Sequence, residues 1–183
     1  MNKDKLFKAI PNMLTFSNGL LGVVAIMILA WSELSSKVLI ASALVAVGAV
    51  VDFLDGYLAR KLSASSDFGK QLDSFADLLT FGIAPMFILH YMADGLGMVF
   101  ILPISVIYLI AGVYRLARYN INDFSNHFMG LPITVAGVIL AGFCALFYLL
   151  GVYVGGTVFA VCAVVLCLVL SGLMVSRIRV RRC

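Results

Sequence analysis

The chain has 183 residues, of which 63% are hydrophobic and only 12% charged. Its mean hydropathy is +1.09, which excludes an ordinary soluble domain, where about a quarter of residues are charged. The net charge of +4 does not point to nucleic acid, because the basic residues sit at the ends of apolar runs and not on one polar face.

The apolar runs predict an all-α integral membrane protein with six transmembrane helices preceded by a short interfacial amphipathic helix. Residues 1–11 carry Lys3, Lys5 and Lys8 among Leu6, Phe7 and Ile10, the pattern of a helix lying in the interface. Pro11 suits a break or the first turn of the next helix. Six spans then fill residues 12–176 as one membrane domain: Met13 to Trp31, Val38 to Arg60, Lys70 to Tyr91, Met98 to Arg118, Leu131 to Leu150, and Thr157 to Ser176. Gly82 and Pro85 are expected bend points in the third. Polar links are expected at Lys61 to Gly69 and Tyr119 to Gly130, and residues 177–183 form a basic tail. Cys144, Cys162, Cys167 and Cys183 have no zinc-ligand spacing and no paired histidine, so they read as packing residues. His90 and His127 read as interfacial.

Placing alternate loops on opposite sides puts every Lys and Arg except Lys37 on one side. Basic loops face the cytoplasm, so both termini are expected there, in the cell membrane of a prokaryote. Anionic headgroups are the natural partners of that rim.

Five of the nine acidic residues fall between Val51 and Asp77: Asp52, Asp55, Asp67, Asp73 and Asp77. Asp52 and Asp55 are three apart and share one helix face, with the small residues Gly56 and Ala59 extending it. Asp73 and Asp77 are four apart at the start of the next helix. A short connection makes the two helices antiparallel neighbours, so the acidic faces meet. Four facing carboxylates do not stay ionised without compensation. All-oxygen ligands point to Mg²⁺, Mn²⁺ or Ca²⁺ over zinc, and four carboxylates have room for two ions that clamp a phosphoryl group. Asp67, without a partner four residues on inside the acidic cluster, reads as a cap or a solvated charge. An ion path through the membrane is the competing reading, but it requires acid on both sides, where only Glu33 and Asp94 lie opposite.

The run Asp52-x-x-Asp55-Gly56-x-x-Ala59-Arg60, eight residues, then Gly69-x-x-x-Asp73-x-x-x-Asp77 resembles the signature of the CDP-alcohol phosphotransferases at every fixed position. The resemblance implies six transmembrane helices, a homodimer and a CDP-linked substrate. It implies a di-metal centre (Mg²⁺ or Mn²⁺) on Asp52, Asp55, Asp73 and Asp77, with Asp77 also the general base. It gives Gly56, Ala59 and Gly69 the task of admitting cytidine and diphosphate. Asn12 and Thr15, on one helix face, suit either contact with the nucleotide or capping, and Arg60 and Lys70 either phosphate contact or pairing with aspartate.

The acceptor is read from other stretches. Pro11 to Gly22, Asp73 to Pro85, Arg115 to Asn120 and Gly130 to Gly137 resemble the branch of that family that uses serine. The implied reaction joins CDP-diacylglycerol and L-serine to give phosphatidylserine and CMP. Arg115 and Arg118 share a helix face and are suited to bind the serine carboxylate, or else to anchor the helix at headgroups. Glycerol 3-phosphate and inositol phosphate are the alternative acceptors; each needs more cationic groups than these two arginines supply.

Overall fold

A computed structural model describes residues 3–62, 66–93, 96–121, 127–151, 157–176 and 179–181. Helix α1 spans Lys3–Trp31 and α2 Lys37–Lys61. Helix α3, Asp67–Asp77, runs into a π-helical turn, Leu78–Ile83, and on into α4, Ala84–Met92. Helices α5, α6 and α7 span Leu96–Ile121, Ile133–Leu149 and Thr157–Val175. Among the described residues, five segments are long and apolar enough to cross a membrane, α3 to α4 counting as one. The sixth, α6, has 17 residues, at the short end of what spans a hydrocarbon core of about 30 Å.

Two expectations change. The N-terminal segment is not a separate interfacial helix, because α1 continues through Pro11. Where lipid offers no hydrogen bonds, an unbroken helix keeps nearly all backbone groups paired, and one missing N–H is tolerated. The polar loop and the basic tail are also not wholly irregular. Strand β1, His127–Met129, pairs antiparallel with β2, Arg179–Arg181. The Asp94–Gly95 link and the loop centres at 63–65, 122–126 and 152–156 lie outside the described residues.

Helix α1 packs along α2, α5 along α7, and α6 against α2. The π turn sits between them. There Ala84 N–H reaches back five residues to Leu79 O. Pro85, which has no N–H to give, follows at once, and Phe81 O accepts from the buried Tyr108 hydroxyl at 3.1 Å. Thr80 Oγ1 donates to Asn18 O of α1 at 2.8 Å. Glycines let three helices close on this turn. A Cβ at Gly22 would lie 2.8 Å from Thr80 Cα, and one at Gly137 would lie 2.7 Å from Phe81 Cα. At Gly48 it would lie 2.6 Å from Thr80 Cγ2. The outward faces are apolar: Phe16, Leu20, Val23 and Met27 run exposed along α1, as a lipid-facing stripe does.

Candidate active site

The site forms where α2 ends and α3 begins. Ser66 caps α3, its Oγ accepting from Gly69 N–H at 3.0 Å, and so fixes the phase of that helix. Asp67 follows in the first turn, exposed, where a negative charge suits the helix dipole. Asp73 then faces α2. Carboxylate oxygens of Asp52, Asp55 and Asp73 all lie within 4.8 Å of one another. Asp77 stands one turn deeper, with its carboxylate within hydrogen-bonding reach of Asp52. Asp55 Oδ2 and Asp77 Oδ1 are buried without a protein partner.

Buried carboxylates of one sign stay ionised together only with a positive partner. The donor set of Asp52, Asp55 and Asp73 fits a hard cation such as Mg²⁺ or Mn²⁺, and the unpartnered oxygen of Asp55 gives that ion a ligand atom. Part of the compensation is already built in. Arg115 of α5 is only 9% exposed, its charge interacts with Asp77 and Asp52, and its Nε has no partner.

A cleft lined by polar and small residues adjoins the triad. Pro11, Asn12 and Thr15 of α1 form one wall, Asp55, Gly56 and Ala59 of α2 a second, and Ser66, Gly69, Lys70 and Asp73 the third. The small residues keep it open: a Cβ at Gly69 would stand 3.1 Å from Asn12 Oδ1. Thr15 Oγ1 donates to Pro11 O at 3.0 Å and also lies beside the Asp55 carboxylate. Arg60 is exposed, with its guanidinium folded over Gly56.

Arg118 is placed differently from Arg115. Its guanidinium donates to Val175 O at 3.4 Å and Ser176 O at 3.3 Å, carbonyls at the C-terminal end of α7. His90 contacts Ser105 Oγ at 3.1 Å, on the α4–α5 side remote from the aspartates. The His127 side chain lies outside the described residues. Two neighbours of the site escape a reading of the sequence. Asn120 Nδ2 donates to Ser74 Oγ at 2.9 Å, tying α5 to the acidic helix. Thr134 Oγ1 donates to Asp52 Oδ2 at 3.1 Å. Both lie in stretches with a family resemblance, Asn120 in Arg115 to Asn120 and Thr134 in Gly130 to Gly137, but Asn120 has only the neighbouring arginine pair to mark it and Thr134 is a lone hydroxyl at the head of an apolar helix.

Residues 8–171 match the model of the family described as CDP-alcohol phosphatidyltransferase. A CDP-diacylglycerol–serine O-phosphatidyltransferase of Bacillus subtilis is 39% identical over 137 residues, covering 72% of this chain and 72% of that protein. A protein of the same name from Methanocaldococcus jannaschii is 34% identical over 138 residues, 75% of this chain and 61% of its own length. An archaetidylserine synthase of Methanothermobacter thermautotrophicus is 32% identical over 158 residues, 84% of this chain and 64% of its own.

Proposed function

Because the chain belongs to the CDP-alcohol phosphatidyltransferase family, we propose that it transfers the phosphatidyl group of CDP-diacylglycerol to the hydroxyl of L-serine. The products are phosphatidylserine and CMP. The observation that carries this reading is the convergence of Asp52, Asp55 and Asp73 on a cleft lined by Asn12, Thr15, Gly56, Ala59 and Gly69. Serine is favoured by its place as acceptor in the names of the similar enzymes from Bacillus and Methanocaldococcus.

Asp52, Asp55, Asp73 and Asp77 would hold two ions, Mg²⁺ or Mn²⁺. Ions held there would supply positive charge to neutralise the diphosphate as negative charge builds on the departing CMP. The cleft takes the cytidine and diphosphate, with Arg60 and Lys70 as cations at its rim. The serine hydroxyl oxygen attacks the phosphorus that bears the diacylglycerol. Asp77 accepts the hydroxyl proton, and the bond from that phosphorus to CMP breaks. Of the two arginines we assign Arg115 to the serine carboxylate, since it is buried beside Asp77 and a guanidinium matches a carboxylate in shape. The basic asymmetry of the loops supports a cytoplasmic site, in reach of soluble serine. The family resemblance supports a homodimer.

The test is CMP release by membranes containing the protein, with CDP-diacylglycerol, Mn²⁺ or Mg²⁺, and a panel of alcohols. Release that depends on serine and stops with a chelator is expected. Release with glycerol 3-phosphate or inositol phosphate but not serine would move the assignment to that acceptor.

A further inference from the structure

Asp52 has a partner from outside the two acidic helices, the Thr134 hydroxyl, which bonds to it across 82 residues of sequence. Hydroxyls in apolar helices normally bond back to their own helix, four residues earlier. Thr15, Ser17, Ser105 and Ser171 all do so here, to Pro11, Met13, Ile101 and Cys167 carbonyls. Thr134 is the second residue of α6, so no helical carbonyl stands four residues behind it. Its one proton goes to Asp52.

Packing on three sides fixes where that hydroxyl stands. Ile133 is fully buried and fits against Gly112, where a Cβ would come within 2.7 Å of its Cδ1. One turn on, Gly137 lets α6 touch the Phe81 backbone. Before the helix, Gly130 adopts φ +74, and Leu131 N–H donates to Leu173 O of α7 at 3.1 Å. A β-branched side chain on a helix so held has little χ1 freedom left.

We propose that Thr134 is a positioning residue that holds the Asp52 carboxylate in the orientation in which it shares an ion with Asp55 and Asp73. The proposal rests on the reading of those carboxylates as a metal site. A carboxylate among like charges turns away from them unless something restrains it. The bond to Oδ2 supplies that restraint from a third helix. Partners of this kind typically contribute about 10- to 100-fold in metal affinity.

The experiment measures Mn²⁺ binding to purified protein in detergent by electron paramagnetic resonance, for the wild type and for Thr134→Val, Thr134→Ala and Thr134→Ser. Valine keeps the shape and removes the donor; alanine covers the case in which valine folds poorly. Metal-free thermal unfolding serves as the fold control. The expected result is an Mn²⁺ Kd raised about tenfold or more in the valine and alanine variants, with the serine variant close to wild type. Turnover lost in the valine variant should return at saturating Mn²⁺. Wild-type affinity in both the valine and alanine variants overturns the proposal, as does a serine variant as weak as valine. If wild-type protein binds no Mn²⁺ and its turnover ignores chelators, the metal reading falls, and this proposal with it.

Discussion

Asp77 and Arg115 are the pair to which the proposed reaction assigns the serine proton and the serine carboxylate. Asp77 is buried with Oδ1 unpartnered, so its open oxygen is available to a substrate hydroxyl. Asp77→Asn keeps the size and removes the base. It should lower turnover by about 10³-fold, within the range of general-base contributions, while CDP-lipid binding persists. Loss of that binding would make Asp77 chiefly a metal ligand. Arg115→Ala should raise the serine KM by about tenfold or more, since a hydrogen bond to a charged group contributes roughly 1.5–3 kcal/mol. Arg118→Ala should leave that KM alone and lower Tm, because its guanidinium holds carbonyls at the end of α7. An unchanged KM in the Arg115 variant, measured by initial rates against serine, would remove its assignment. That the four aspartates come together was legible in the sequence because spacings of three and four place carboxylates on one helical face. The different environments of Arg115 and Arg118 were not. Residues three apart on a helix differ by roughly 60° in direction, enough for one to turn inward and the other toward α7.

Among the elements, the π turn and α6 set the geometry that the aspartates use. Gly137→Ala would force its methyl against the Phe81 backbone, which cannot yield as a flexible side chain would. Overpacking of this kind costs about 1–3 kcal/mol. Gly142, five residues on in the same helix, has nothing within 4 Å of its Cβ position, so Gly142→Ala should be neutral or slightly stabilising. Melting of the two variants in detergent checks the contrast, and the Gly137 variant should also lose activity as Thr134 shifts from Asp52. That spans five and six carry glycine among their apolar residues is readable from their composition, yet only Gly137 closes on a neighbour, while Gly142 and Gly172 face open space. Which glycine meets backbone depends on how helices cross, and hydrophobic periodicity carries no record of that. The irregularity near Gly82 and Pro85 was readable because proline lacks a donor. Its form, a widened turn bonded from Ala84 to Leu79, was not.

For the whole molecule, the skew of Lys and Arg to one side predicts the orientation in the bilayer. In a variant that keeps Cys183 as its only cysteine, an impermeant maleimide should label intact cells poorly and inverted vesicles well. Labelling of intact cells would reverse the topology. That the chain is a bundle of membrane-spanning helices was legible because lipid demands long apolar helices; the exact number was less so, since α6 has only 17 residues. The β1–β2 clasp was not, since three-residue strands in polar segments show no alternation to read. One consequence concerns the third span, which carries Asp73 and Asp77 ahead of its π turn and a fully buried apolar stretch, Phe81 to Met86, through and beyond it, save Ile83, which is half-buried. A residue added to or removed from a helix rotates one part against the other by about 100°. The span is therefore a two-part key whose halves are cut at different angles, and the residue count between Asp77 and Pro85 is itself under constraint. Substitutions there can be mild, while a single deletion would turn the aspartates away from α2 with every side chain of the site still present.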